Sequence, residues 1–219
     1  MKDATPQTIY LKDYQVPEYH IEKTELVFEL NEDDCRVSSR LHVRRNPDSQ
    51  SKQSDLFLHG GSELDLQQVA IDGVVLASDR YQRSEEGLVI KQVGDTAVVE
   101  IDLFIKPHLN TTMMGLYKSR TMYCTQCEAE GFRNITFYLD RPDVMSEFTT
   151  KIIADKTLFP VLLSNGNAVE QGDLDQGRHF ATWHDPFKKP AYLFALVAGD
   201  LSVVEDSFTT CSNRDILLQ

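Results

Sequence analysis

Two cysteines at 124 and 127, two glutamates at 128 and 130, and six scattered histidines are the side chains that could bind metal, exchange thiols or move protons. Cys124-Thr125-Gln126-Cys127 has the spacing of a redox dithiol or of half a zinc site. The redox motif needs a following helix within a βαβ unit, which the neighbouring residues do not suggest. A structural zinc site needs four ligands, and Cys35 and Cys211 lie far off in sequence. The pair is therefore expected to be buried structural thiols. None of His20, His42, His59, His108, His179 and His184 belongs to a His-Glu-x-x-His pair, the pattern that sets two imidazoles on one helix face around a zinc ion. His179 and His184 are five apart, so on a strand they face opposite sides. Neither a Gly-rich phosphate loop nor a Gly-x-Ser-x-Gly elbow occurs.

Glu128 and Glu130 are two apart and share one face if the chain is extended, with Gln126 before them and Gly131 after. An ionised carboxylate there suits a cation or a substrate ammonium, through strong charge-assisted hydrogen bonds. Spacing alone favours solvated surface acids over such a site. An acid–base pair is a third possibility, and it demands turnover by this chain without metal.

The elements that must position these side chains repeat with period two. Leu26, Phe28 and Leu30 share one face, as do Val37, Ser39, Leu41 and Val43, with Asn31-Glu32-Asp33-Asp34 as the hairpin loop between them. Further strands are expected at 55–58, 64–71, 87–93 and 96–105, a spacing that predicts an all-β, antiparallel sandwich with at most short helical turns. A polar surface loop is expected over 46–54. Asp140 and Pro142 predict one or two helical turns over 140–148. Ser164-Asn165-Gly166-Asn167 is a type I′ hairpin signal, across which 161–163 and 168–171 should pair. Residues 192–197 are apolar at every position and read as a central strand covered on both faces. Asp215-Ile216-Leu217-Leu218-Gln219 reads as a strand that stops without a turn or cap, with an unpaired apolar edge, as in a piece of a longer protein.

Composition narrows the function. With 34 acidic and 22 basic side chains the net charge is −12, so nucleic acid is an unexpected partner, because phosphate binding needs a basic surface. The longest apolar run, 191–199, is about half of what a bilayer span needs, so no membrane span is expected. The polar N-terminus lacks a signal core, and four cysteines without an export signal are expected as reduced thiols in the cytoplasm.

From Gly115 onward the chain resembles the N-terminal domain of the bacterial aminopeptidase N family, zinc metallopeptidases of the gluzincin type. The resemblance rests on Cys124-Thr125-Gln126-Cys127-Glu128-Ala129-Glu130-Gly131-Phe132-Arg133 and on Tyr138-Leu139-Asp140-Arg141-Pro142-Asp143. It continues through Phe148-Thr149-Thr150-Lys151-Ile152, Leu163-Ser164-Asn165-Gly166-Asn167 and Tyr192-Leu193-Phe194-Ala195-Leu196-Val197-Ala198-Gly199-Asp200. It extends more weakly from Asp13-Tyr14 to Leu30 and is loosest after Asn46 and over 78–86.

The resemblance implies a saddle-shaped all-β domain spanning 1–219, packed beside a thermolysin-like catalytic domain of the same polypeptide. It implies that Glu128 binds the free α-amino group of a peptide substrate and that Gln126 lines the pocket for the first side chain; Glu130 stays structural or undecided. It places zinc, the His-Glu-x-x-His ligands with their downstream Glu, a Gly-Ala-Met-Glu-Asn segment and a transition-state tyrosine in the catalytic domain. None of those motifs occurs in these 219 residues, so the chain alone is expected to be inactive. The competing reading is a binding or scaffold β-sandwich, because a fold does not fix a function.

Overall fold

Alternating buried and exposed side chains run through the long strands, and that alternation builds the domain. The computed structural model describes residue 8 and residues 10–50 and 55–218; residues 51–54 of the expected 46–54 loop, and Gln219, lie outside the described residues. Every second residue is buried from Thr24 to Leu30, beyond a register shift after Ile21, and from Cys35 to Val43, so Leu26, Phe28, Val37 and Leu41 share a core face as their spacing predicts. The expected hairpin joins these two strands, closed by the Asn31 amide on the Asp34 carbonyl at 3.0 Å.

Eight strands form the main sheet, in the spatial order Asn167–Asp173, Arg178–Pro190, Met145–Asp155, Tyr19–Leu30, Cys35–Arg45, Thr96–Ile105, Asp65–Ile71 and Val74–Val75. A four-stranded sheet runs Val161–Ser164, Leu196–Gly199, Met122–Gln126, Gly115–Ser119. Three further strands, Leu56–His59, Gly87–Ile90 and Tyr81–Arg83, make a small third sheet. Every helical element among the described residues is a three-residue 3-10 turn, so the all-β reading holds. One pair departs from the antiparallel expectation: Tyr19–Leu30 runs parallel to Met145–Asp155, with Leu26 opposite Thr150. The long stretch between these two strands gives ample chain for the crossover that a parallel pair requires.

The sheets close over an aromatic centre. The Phe132 ring meets Tyr138, Phe148 and Phe194 edge-on, with centroids 4.8, 6.0 and 5.2 Å away. The fully buried Tyr138 hydroxyl is satisfied by Thr24 Oγ1 at 3.0 Å, which also meets Ser146 Oγ at 2.8 Å.

Four local expectations are corrected. Residues 140–148 form no helix: a turn at 142–143 leads directly into Met145–Asp155, where Phe148, Thr150, Ile152 and Ala154 are buried alternately. Asp140 caps no helix of its own, because its carboxylate accepts the Arg133 amide and the Arg133 Nε instead. The Asn165-Gly166 turn does not make a hairpin. Val161–Ser164 pairs with Leu196–Gly199, while Asn167–Asp173 leaves for the main sheet and pairs with Arg178–Pro190. Gly166 has φ of +89°, but Asn165 is not left-handed; its side chain receives the Ala195 amide at 2.7 Å and donates to the Leu193 carbonyl at 3.1 Å. That tether turns the chain from one sheet into the other. Within 192–197, a 3-10 turn at Ala191–Leu193 delays the strand, which is Leu196–Gly199 and is central in the four-stranded sheet. Asp215–Leu218 is paired, antiparallel to Asp206–Thr209.

Candidate functional site

Met122–Gln126 is the strand that delivers the candidate residues. It is held on one flank by Gly115–Ser119, with Gln126 opposite Gly115, and on the other by Leu196–Gly199. Tyr123 is fully buried, and its hydroxyl donates to the Asn31 carbonyl at 2.6 Å; burial pushes its pKa up to about 12. Thr125 Oγ1 accepts the Leu196 amide at 2.8 Å. Between these anchors the strand has little freedom, and Gln126 emerges at its exposed end.

After Gln126 the chain does not stay extended, so Glu128 and Glu130 do not share a strand face. Residues 128–131 turn back, with the Gly131 amide on the Cys127 carbonyl at 2.8 Å, and the peptide joining Glu128 to Ala129 is cis. Gly131 is obligatory here, because a Cβ would lie 2.4 Å from the Gln126 carbonyl oxygen and 3.1 Å from the Gly115 nitrogen. The 3-10 turn Phe132–Asn134 follows, its Phe132 ring sunk in the aromatic centre. The loop is thus pinned at both ends, by Tyr123 and by Phe132, with its acidic tip in solvent.

The two carboxylates meet different surroundings. Glu130 pairs with Arg133 Nη2 at 3.3 Å. Glu128 is exposed, and its carboxylate makes no ion pair among the described residues; its backbone carbonyl accepts Gln126 Nε2 at 3.2 Å. Gln126 and Glu128 are therefore brought together by a hydrogen bond, while Glu130 is drawn toward Arg133.

Arg133 and Asp140 form the polar floor of the loop, which spacing alone did not reveal. Arg133 Nε donates to Asp140 Oδ2 at 3.0 Å, the Arg133 amide donates to the same oxygen at 3.1 Å, and Nη2 reaches the Asp140 carbonyl at 3.0 Å. The Asp140 side chain is 3% exposed. The single signal in the sequence was the three-residue separation of Glu130 and Arg133; nothing marked Asp140 as its partner. His59 lies beside this floor, its pKa lowered first by burial and then by the Arg133 charge.

The cysteines are free thiols. Cys127 is buried as expected, and burial, with the Asp140 charge behind it, pushes its pKa up to about 12. Cys124 is half-buried on the strand. Burial raises the Cys124 pKa as well, so neither thiol has thiolate character. His179 and His184 are each occupied, by the Phe159 carbonyl at 2.8 Å and by Thr149 Oγ1 at 3.1 Å. No group of three His, Cys, Asp or Glu among the described residues is placed to hold a metal ion. The residues described therefore do not fit a zinc centre.

Comparison with known proteins bears on the family and the fold. Residues 16–193 match the peptidase M1 N-terminal domain family. The chain is 49% identical, over its whole length, to aminopeptidase N of Caulobacter vibrioides, of which it covers 25%. It is 46% identical over 98% of its length to aminopeptidase N of Escherichia coli, covering 24% of that protein. Among solved structures, an aminopeptidase A of Legionella pneumophila in complex with aspartic acid superposes with a TM-score of 0.88 at 32% identity, over 94% of this chain and 24% of that one. An M1 zinc metallopeptidase from Deinococcus radiodurans shares the fold at 13% identity and a TM-score of 0.75, over 93% of this chain and 47% of that one. The chain spans about a quarter of the length of the curated relatives it matches.

Proposed function

Since the chain belongs to the peptidase M1 N-terminal domain family, we propose that it anchors substrates for a zinc aminopeptidase that removes N-terminal residues from peptides. Zinc and its ligands belong to a catalytic domain of the same polypeptide, against which this domain packs. Glu128 holds the free α-ammonium of the peptide, and Gln126 forms part of the wall around the first side chain. An exopeptidase must prefer a terminal ammonium over an internal amide. A fixed carboxylate makes that distinction by charge, since it attracts the ammonium strongly and the neutral amide weakly.

The observation that carries the reading is the contrast between neighbours: Glu130 is committed to Arg133, whereas the exposed Glu128 carboxylate has no cation partner among the described residues. The hydrogen bond from Gln126 to the Glu128 carbonyl supports it further, by joining pocket wall and anchor in one unit. Free thiols at Cys35, Cys124, Cys127 and Cys211 suit a reducing compartment, and we assign the protein to the cytoplasm.

The test is hydrolysis of an aminoacyl chromogenic substrate by the full-length enzyme, its Glu128→Ala variant, and the 219-residue chain with added zinc. Loss of a charge-assisted anchor costs about 3 kcal/mol, so kcat/KM of the variant should fall roughly 100-fold. The 219-residue chain should be silent. Unchanged kinetics in the variant would favour the scaffold reading.

A further inference from the structure

Among the described residues, Arg133 is a charged side chain built into both the loop and the core beneath it. Its guanidinium makes two bonds to the buried Asp140, one through the carboxylate and one through the backbone carbonyl, and its main chain makes a third to the same carboxylate. Its carbonyl accepts the Gly61 amide at 3.0 Å, which ties the loop to the segment after Leu56–His59. The same guanidinium reaches Glu130 at 3.3 Å. Arg133 thus fixes the base of the turn that carries Glu128 and commits the loop's other carboxylate.

We propose that Arg133 is a positioning residue for Glu128. Clamped by Asp140, it holds the 128–131 turn in one arrangement and leaves Glu128 as the loop's single uncommitted carboxylate, so that the loop presents one negative charge to one ammonium. This rests on the anchoring role of Glu128 proposed above. Guanidinium is suited to the task because its planar fork meets a carboxylate and a carbonyl together, which an ammonium cannot do with the same fixed geometry. The buried Asp140 holds the guanidinium through two bonds, so Arg133 is fixed at the base of the loop.

The test is a double-variant cycle in the full-length enzyme with Glu128→Gln, Arg133→Gln and the pair, reading KM and kcat on an aminoacyl chromogenic substrate and checking folding by thermal melting. Arg133→Gln should raise KM about tenfold and leave kcat within about twofold, the pattern of lost substrate binding. In the Glu128→Gln background the same change should cost less than about twofold, because a residue acting through another has nothing left to act on. An equal cost in both backgrounds, or none in either, overturns the proposal. If Arg133→Gln fails to fold because Asp140 is left buried without its partner, Arg133→Lys keeps a positive charge there and carries the same cycle. A neutral Glu128→Gln single variant refutes the anchoring reading on its own, whereas a costly one with additive Arg133 effects refutes only the positioning role.

Discussion

The outer face of the eight-stranded sheet and the loop over 126–134 both carry acids, and they treat them in opposite ways. On the sheet, Glu22 is bound by Arg44 and Lys188, Glu25 by Arg40, Glu29 by Arg36 and Arg178, and Asp102 by Arg36. Those strands pair acid with base across neighbouring positions, and the face is neutralised by its own residues. In the loop, one acid is committed to Arg133 and the other is left open. A net charge of −12 therefore does not by itself locate a site. Within the loop, Glu128 differs from its neighbour in that its carboxylate makes no ion pair among the described residues, and charge left unpaired on a rigid support is available to a ligand.

The sharpest way to break this comparison is to remove the rigid support. Phe132 is fully buried and contacts three rings while its backbone forms the loop's exit. Phe132→Ala should cost about 3–5 kcal/mol of stability, measured by denaturant unfolding. If the loop depends on this anchor, substrate affinity of the full-length enzyme should fall with it. A large loss of stability with KM unchanged would show that the loop is held from Tyr123 and Arg133 alone.

A second break targets the corner that sends consecutive strands into different sheets. Gly166 has φ of +89°, and a Cβ there would lie 2.2 Å from the His184 carbonyl oxygen. Gly166→Ala should destabilise by about 2–3 kcal/mol through strain and a backbone clash, again read by unfolding. The substitution lies on the sheet side of the comparison, so KM should move little among the molecules that remain folded.

That corner also shows where sequence reading stopped. The long strands were legible because burial on one face imposes period two, and Leu26, Phe28, Val37 and Leu41 report it directly. Partners were less legible: Asn165-Gly166 signals a sharp reversal, but whether the two strands pair depends on Asn165 bonding to Ala195 and Leu193, some thirty residues away. The 140–148 segment failed for a similar reason, since Asp140 looks like a helix cap until Arg133 occupies it. At the site, Glu128 and Gln126 stood out through the family resemblance. The spacing of Glu128 and Glu130 gave them a shared face if the chain stayed extended, and the turn closed at Gly131 abolishes it. Local pattern identified elements, and side-chain bonds distant in sequence decided how the elements were joined.

Smaller effects test the neutralised face. Asp102 is held by Arg36 at 2.6 Å and by Ser38 at 3.0 Å, and the Arg36 hydrogen bond lowers its pKa despite partial burial. A carboxyl lowered in the folded state contributes stability that is present above the unfolded pKa and is lost as pH falls through the folded one. Asp102→Asn should therefore cost no more than about 1 kcal/mol near neutrality, as exposed pairs do. It should also flatten the loss of stability on acidification below about pH 4, measured by urea unfolding across that range. An unchanged acid profile would mean that Asp102 adds nothing to the pairing on this face.

The smallest effect is the most discriminating. Glu130 sits two residues from the proposed anchor, carries the same charge and is 69% exposed. If proximity and charge were enough to recognise an ammonium, Glu130→Gln in the full-length enzyme would weaken kcat/KM nearly as much as Glu128→Gln. The geometry argues otherwise, because the Glu130 carboxylate is turned to Arg133 while Arg133 keeps its stronger hold on the buried Asp140 whether or not Glu130 is charged. Loss of one exposed pair should then change kcat/KM by less than about twofold. A loss comparable to that of Glu128→Gln would show that both acids face the substrate, and that pairing within the loop does not distinguish the anchor from its neighbour.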